Sequence, residues 1–312
     1  MQRPGLGLLF LTPAFVLVLG VVLVPLLLTL FLSFHDATVM GGGAISTKFV
    51  GFQNYAHFLF GKDAARFWQA VRTTGYFTTL SLALELLLGI SAALILHREF
   101  VGRAWVRSLI LLPWAVPTVV NARMWQWIFN GEKYGALNGL LMQAGILQSP
   151  VNWLSTQIPL EHVPIIGPLL SWVGGRQALH MIILGDTWKV TPLVALLTLA
   201  ALQTIPTSLY EAAALDGAGP FSSFVHITLP LLRPVLLVIL VLRTMELFRV
   251  FDIIYILMQF SINVLSIMTF EEGIKFLNLG RGAAMSFLIG LLILGLSLLY
   301  FRFMARDEEV HG

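Results

Sequence analysis

Residues 207–234 read TSLYEAAALDGAGPFSSFVHITLPLLRP, a stretch of small, capping and turn-forming residues. Ser208 with Glu211 three residues later has the pattern of a capping box that starts a helix. Gly217 is the residue type that ends a helix in a left-handed turn. Pro220 suits the first turn of a second short helix. The stretch therefore predicts two short helices joined by a tight turn.

Long apolar runs lie on both sides of this stretch. The chain has 312 residues, 57% hydrophobic and 11% charged, whereas a soluble domain carries roughly 25% charge. A soluble enzyme does not fit this composition. Because a helix needs about 20 mostly apolar residues to cross a bilayer, the sequence predicts an all-α membrane protein. Its six transmembrane helices are expected at about residues 6–34, 73–96, 108–129, 178–203, 234–258 and 283–304.

Prolines mark expected irregularities in these spans. Pro113 and Pro117 interrupt the third span, which we expect to be kinked and buried in a bundle. Leu229-Pro230 is expected to end the second short helix of the 207–234 stretch, so that Pro234 opens the fifth span.

The distribution of arginine predicts the orientation. Arg98, Arg103 and Arg107 lie in the short turn 97–107 between the second and third spans, and such basic turns favour the cytoplasmic side. Both termini and residues 204–233 are then cytoplasmic. Residues 35–72, expected to contain short helices, and residues 130–177 become external loops. The whole chain, 1–312, is expected to form a single transmembrane domain.

Several kinds of chemistry are not expected. The chain has no cysteine, which removes disulfides and thiolate metal sites. His97, His180 and His226 lack the spacing of metal ligands, so no metal site is predicted. The sequence has no Walker A motif, zinc-protease motif or nucleophile elbow, and we predict no catalytic residue. The 19 Lys and Arg residues form no basic block, so no nucleic acid partner is predicted.

Ionisable residues inside the predicted spans are candidates for function, because a charge at the bilayer centre costs at least roughly 2.5–3.5 kcal/mol. Asp186 and Lys189 are three residues apart and are expected to neutralise each other. Charges alternate at steps of three over 243–252, so neighbours can pair but the set is not expected to line one pore. Structural ion pairs, a transport pathway and a proton relay all remain open. The residues are Glu85, Arg123, Asp186, Lys189, Arg243, Glu246, Arg249 and Asp252.

The spacing within residues 211–230 resembles a known motif. Glu211-Ala212-Ala213, three residues, Gly217, nine residues, Ile227, one residue and Leu229-Pro230 are similar to the EAA motif of permease subunits of ABC-type importers. The resemblance implies a coupling helix that docks in a cleft of an ATP-binding subunit. The implied coupling residues are Glu211, Ala212, Ala213, Asp216, Gly217, Ala218, Phe221, Phe224, Ile227, Leu229 and Pro230.

Other segments resemble the sugar-importer branch of this family, of the maltose, trehalose and glycerol-3-phosphate type. They include Phe49–Tyr55, Trp125–Phe129, Trp188-Lys189 and Arg243-Thr244. The chain departs from the branch after the fifth span, where Leu257–Ser261 replaces the usual Thr-Gly-Gly-Gly-Pro turn.

The resemblance implies the type I permease fold of ABC importers and a place in a bacterial or archaeal inner membrane. The implied function is ATP-driven import of an oligosaccharide or related carbohydrate by alternating access. The implied partners are a second, homologous permease subunit in a heterodimer, two ATP-binding subunits and an extracytoplasmic sugar-binding protein. No cofactor is expected on this chain, since ATP and Mg would be bound by the partner subunits. The alternative is a self-sufficient secondary transporter or channel for a small polar solute, although no internal repeat is evident.

A sugar site needs aromatic faces together with hydrogen-bonding groups. Asp252 has a second interpretation, as a structural ion-pair partner of Arg249. The candidate pathway residues are Asn121, Trp125, Trp188, Lys189, Arg243, Phe248 and Asp252.

Overall fold

The computed structural model of the chain describes residues 12–40, 43, 45–158 and 165–304. Residues 6–11 of the first predicted span and residues 159–164 of the second predicted external loop lie outside the described residues. The described chain is mostly helical, which confirms the predicted fold class.

The elements follow one another with few long connections. In chain order they are α1 (Thr12–Ser33, π-helical over Val18–Leu23), β1 (His35–Val39), β2 (Ile45–Phe49), α2 (Gln53–Leu59), α3 (Ala64–His97), α4 (Arg103–Leu109), α5 (Leu112–Ala115), α6 (Thr118–Ile128), α7 (Ala136–Gln143), α8 (Ile166–Val173), α9 (Gln177–Leu202), α10 (Thr207–Leu215), α11 (Pro220–Ser223), a π-helical turn (Phe224–Thr228), α12 (Leu229–Phe248), α13 (Asp252–Met258), α14 (Leu265–Phe270), a second π-helical turn (Glu271–Lys275) and α15 (Leu279–Met304).

Five helical stretches of the described chain are long and apolar enough to cross a membrane: α1, α3, α9, the run Pro220–Met258 and α15. A sixth is obtained if the bent pair Arg103–Ala115 and Thr118–Ile128 counts as one span. The predicted number of spans is therefore reached only through this broken pair.

The third predicted span is broken rather than continuous. Arg103–Ala115 and Thr118–Ile128 meet at 91°, and Val116 between them is extended, with φ −68° and ψ 127°. Proline disfavours the helical conformation of the residue before it, so Pro117 forces Val116 out of the helix. The predicted interruption and kink of the third span are therefore confirmed.

The helix that starts at Pro220 does not end at Leu229-Pro230, and that prediction is wrong. The backbone N–H of Leu229 donates to the Phe224 carbonyl five residues earlier, which is the bond of a π-helical turn. This turn carries the helix past Pro230, and Pro234 lies inside α12. The fifth span instead breaks later, between Phe248 and Asp252.

Backbone contacts group the described chain into two compact units, and the first contains residues 12–68 and 265–292. Its β1 and β2 form an antiparallel hairpin in which Ala37 faces Thr47. The expected short helix is present as α2, whereas the hairpin was not expected; β-branched residues on both sides of the 41–43 glycines favour it. The Nδ2 of Asn54 donates to the carbonyls of Ser33 and His35, both at 2.9 Å.

Ion pairs surround two adjacent glutamates of this first unit. Arg66 and Lys275 both pair with Glu271, and Arg281 lies 4.0 Å from Glu272. Both glutamates are buried, and desolvation by burial raises the pKa of Glu272 above its ordinary value.

The second unit contains residues 69–264 and the described part of 293–312. Side chains of α3, α9 and α12 form an apolar core within it, with Ala93, Val194 and Leu232 among the buried residues. Asn138 is fully buried in the segment after α6. Its Nδ2 donates to three carbonyls, and its Oδ1 accepts from the Val151 amide and the Trp153 indole. One amide side chain thus fixes the path of this segment.

Candidate functional site

The motif-bearing loop begins with α10, whose start differs from the prediction. The residue before the helix is Pro206, and no side chain caps it. A capping hydroxyl must belong to the residue that precedes the first helical position, and Ser208 is already the second residue of the helix. The predicted capping box of Ser208 and Glu211 is therefore wrong.

The end of α10 agrees with the prediction for Gly217. This glycine has φ +81°, a conformation that costs a residue with a Cβ free energy. The Ala218 amide donates to the Ala213 carbonyl at 2.8 Å, and the Gly217 amide donates to the Ala214 carbonyl at 3.1 Å. These two bonds form a Schellman motif, which turns the chain sharply into α11.

The loop exposes apolar side chains around this turn. Leu215 is 90% exposed and Phe221 is 81% exposed, and Glu211 is exposed on the same short helix as Leu215. Tyr210 is the exception, because it packs against the apolar core and its hydroxyl lies 2.9 Å from the Thr228 hydroxyl. The loop is therefore attached on one side and open on the other.

A buried charge cluster lies inside the helical bundle of the second unit. Arg243 of α12 donates to both carboxylate oxygens of Glu85 of α3, at 2.8 and 2.6 Å, and to Asp186 of α9 at 2.9 Å. Its remaining terminal nitrogen pairs with Glu246. Glu85 is 0% exposed and Arg243 is 4% exposed, so one guanidinium joins three spans.

The cluster forms part of the wall of a cavity of about 580 Å³, within the size range of small-molecule sites. α12 and α13 both contribute to this wall because the chain breaks between them. The break brings Glu246, Arg249 and Asp252 to one cavity together with Arg243, so the expectation that the 243–252 set could not line one space is wrong. The polar and aromatic lining residues are Trp114, Thr118, Asp186, Lys189, Arg243, Glu246, Arg249, Phe251 and Asp252.

The expected pair of Asp186 with Lys189 is also wrong. Asp186 bonds to Arg243, and the Lys189 ammonium donates to the Thr118 hydroxyl at 2.8 Å. Among the described residues, no ion pair joins Arg249 and Asp252, both of which are exposed in the cavity wall. Asp186 pairs with Arg243 rather than with Lys189 because Arg243 approaches from another helix, which sequence spacing does not reveal.

Four of the candidate pathway residues do not line this cavity: Asn121, Trp125, Trp188 and Phe248. The indole N–H of Trp125 donates to the Oδ1 of buried Asn121 at 3.1 Å. The Trp125 ring stacks on Phe129 at 5.0 Å and meets Trp188 edge to face at 5.8 Å. Trp125 and Trp188 lie on α6 and α9, which also contribute to the cavity wall, but Trp188 is 39% exposed outside that wall.

Lys189, Arg243 and Asp252 are the sequence candidates that line the cavity. Asp186, Glu246 and Arg249 are ionisable residues of the predicted spans that are not among the candidate pathway residues, and no sequence pattern places Trp114, Thr118 and Phe251 in the same wall. Asp186, Glu246 and Arg249 can be identified from the sequence as charged residues within apolar spans. No group of three His, Asp or Glu side chains within the described residues could hold a metal ion.

The broken spans, the intramembrane cavity and the exposed motif loop define the class of the protein, a helical membrane transport component. Residues 85–306 match the family of binding-protein-dependent transport system inner membrane components, and the chain belongs to this family. This confirms the resemblance seen in the sequence and the interpretation as a permease subunit rather than an enzyme.

Individual relatives cover nearly the whole chain. The trehalose/maltose transport system permease protein MalF of Thermococcus litoralis is 39% identical over 96% of this chain and 94% of its own length. The trehalose transport system permease protein SugA of Mycobacterium tuberculosis is 29% identical over 93% of this chain and 85% of its own. The similarity therefore includes the regions on both sides of the motif loop.

A solved structure has the same fold. A chain of a bacterial ABC transporter involved in the import of the acidic polysaccharide alginate superposes with a TM-score of 0.74. The match covers 98% of this chain and 96% of the other, at 23% identity. It confirms the predicted type I permease fold.

Proposed function

We propose that this chain is one permease subunit of an ATP-driven importer that moves an oligosaccharide, of the trehalose or maltose kind, into the cytoplasm by alternating access. The names of the relatives support the substrate class, since two of them are trehalose or trehalose/maltose permeases. Membership of a binding-protein-dependent family favours this function over a self-sufficient transporter or channel.

The observation that carries the proposal is the motif loop with its exposed apolar side chains. Leu215 and Phe221 are almost fully in solvent, whereas exposed apolar clusters typically mark interaction sites. We infer that residues 204–233 are the cytoplasmic coupling loop and that this surface enters a cleft of an ATP-binding subunit. Two such subunits would supply ATP and Mg, and this chain binds neither.

We propose that the cavity forms one half of the substrate pathway. Its wall combines indole and phenyl rings with charged and hydroxyl groups, the mixture that suits a polyhydroxylated ligand. A second, homologous permease subunit would supply the other half in a heterodimer, and an external sugar-binding protein would deliver the substrate to residues 35–72 and 130–177. In this arrangement the two termini are cytoplasmic and residues 1–312 act as one permease domain.

The test is transport by the reconstituted complex. Proteoliposomes with this chain, a second permease subunit, the ATP-binding subunits and the binding protein are expected to accumulate radiolabelled trehalose or maltose only with internal ATP. Liposomes with this chain alone are expected to accumulate none. ATP-independent uptake by the chain alone would instead identify a self-sufficient transporter.

A substitution in the loop separates coupling from folding. Glu211→Lys is expected to abolish substrate-stimulated ATPase activity while leaving the thermal stability of the permease unchanged, because the side chain is exposed. The matched control is Glu99→Lys, an exposed glutamate in the turn between the second and third spans, outside both the motif loop and the external segments. Wild-type stimulation in the Glu211→Lys complex would refute the coupling role.

A further inference from the structure

Helix α8 is apolar on nearly all sides, and much of its apolar surface is exposed. The exposed side chains include Ile166, Leu169 and Trp172, together with the polar Ser171, while Gly167 is buried. Residues three or four apart share one face of a helix, so Ile166, Leu169 and Trp172 form an apolar stripe. A helix that is apolar nearly all round is typical of a protein interior or a membrane rather than of a surface in water.

The segment around α8 is also free of charge. Residues 165–175 contain no Asp, Glu, Lys or Arg, and Arg176 follows directly. The eight residues of α8 span only about 12 Å at about 1.5 Å per residue, whereas the hydrocarbon core is about 30 Å thick. The helix therefore cannot cross a membrane, although its surface is as apolar as that of a span.

Two glycines at the end of α8 seat the segment against α3. A Cβ on Gly174 would lie 2.3 Å from the Thr73 hydroxyl, and one on Gly175 would lie 3.4 Å from the Tyr76 ring. The Tyr76 hydroxyl in turn lies 2.6 Å from the Nε2 of His180. Close backbone approach fixes which face of α8 packs inward and which faces out.

α8 contacts α3 at the point where a stretch of α3 without charged residues begins. Arg72 is the last charged residue before Glu85, and its guanidinium lies over the Trp172 ring, 5.1 Å from the centroid. Tryptophan concentrates at the membrane–water interface, where Arg side chains also extend toward the headgroups. The apolar stripe of α8 therefore lies next to the membrane boundary of an established span.

We propose that α8 is an interfacial anchor, which inserts the side chains of Ile166, Leu169 and Trp172 between the lipid headgroups and upper acyl chains. Its occupant is the bilayer itself, since the stripe belongs to an uncharged segment and lies beside the Arg72–Trp172 pair, at the level where the apolar stretch of α3 begins. The anchor holds the segment between the third and fourth spans at a fixed depth.

The natural absence of cysteine makes a direct depth measurement possible. Leu169→Cys and, separately, Ile166→Cys would carry a nitroxide spin label in the full transporter complex with cysteine-free partner subunits. The complex would be held in nanodiscs of phosphatidylcholine and phosphatidylglycerol. The matched control is Ser149→Cys, an exposed position in the same inter-span segment.

Collisions with oxygen, which concentrates in lipid, are compared with collisions with a water-soluble nickel chelate. The oxygen-to-nickel ratio is expected to be several-fold higher at Leu169 and Ile166 than at Ser149. Nickel accessibility equal to that at Ser149 would overturn the proposal, because the stripe would then face water. Shielding from both reagents would also overturn it, in favour of a protein partner. Neither result bears on ATP-driven uptake, so the proposal stands or falls separately from the transport function.

Discussion

The motif loop and the buried charge cluster differ in how their residues are held. Side chains of the loop such as Glu211, Leu215 and Phe221 are exposed, and its shape comes from local backbone bonds around Gly217. The cluster around Arg243 is held by side chains that are 57 and 158 residues away in sequence. A local surface can change without loss of the fold, whereas a long-range buried network cannot.

The largest expected effect is therefore in the cluster. Arg243→Met leaves Glu85 fully buried without its partner, and loss of one member of a buried ion pair costs about 3–5 kcal/mol. We expect little assembled protein, measured by fluorescence-detected size-exclusion chromatography and thermal denaturation. Arg249→Met, which removes an exposed arginine without an ion pair among the described residues, is expected to retain wild-type stability.

A second variant keeps this prediction testable if Arg243→Met does not fold. Neutralising the stranded carboxylate with Glu85→Gln in the Arg243→Met background is expected to recover part of the assembled protein. An Arg243→Met chain with wild-type thermal stability would show that the cluster does not hold the three spans together.

The second-largest effect is expected at Asp252, which belongs neither to the motif loop nor to the Arg243 cluster. Asp252 lines the cavity and has no ion pair with Arg249, so Asp252→Ala is expected to lower uptake about tenfold, or about 1.4 kcal/mol, with unchanged stability. Uptake by proteoliposomes and thermal denaturation are the two measurements. If Asp252 were instead a structural partner of Arg249, stability would fall and neutralising Arg249 as well would restore it.

A smaller effect is expected in the loop itself. Gly217→Ala places a Cβ on a residue with φ +81°, which costs about 1 kcal/mol. We expect the turn to loosen, seen as faster amide hydrogen exchange over 213–218, while the membrane-spanning helices exchange as before. Gly219→Ala is the control, since Gly219 has negative φ and open space around it. Equal exchange in both variants would contradict the role of the Gly217 turn.

The smallest effect is a gain in stability at the end of α13. Gln259 has φ +50° and ψ −115°, a conformation that favours glycine and costs other residues about 1–3 kcal/mol. Gln259→Gly is expected to raise the melting temperature only slightly, because glycine relieves the backbone strain but loses more conformational freedom on folding, which offsets about 0.5–1 kcal/mol of the gain. Gln259→Ala keeps the Cβ and is expected to give no gain, so stabilisation by both would indicate a cause other than backbone strain.

The sequence predicted the features whose causes are local. Span positions follow from apolar length, the Gly217 turn from the demand for a positive φ, and the kink at Pro117 from the restriction on Val116. The absence of a glycine at position 259 was visible as a departure from the family, and the structure shows a strained glutamine there.

Features set by competition between distant residues could not be predicted in this way. Sequence spacing predicts that Asp186 pairs with Lys189, three residues away. In the structure Asp186 instead accepts a hydrogen bond from the buried guanidinium of Arg243. Gly185 packs against the Trp125 ring, where a Cβ would lie 3.0 Å away, and no sequence pattern announces that contact. The break after Phe248, which brings four charges to one cavity, has no proline or glycine to mark it.

The uninterrupted helical run from Pro220 to Phe248 has a mechanical consequence. At about 1.5 Å per residue it forms a rod of about 40 Å, with Phe221 near one end and Arg243 near the other. The π-helical turn and Pro234 lie inside this run, but no break in the backbone separates its two ends. Glu85 and Asp186, on two other spans, hold Arg243, so the cavity end of the run is tied to the bundle while the Phe221 end is exposed.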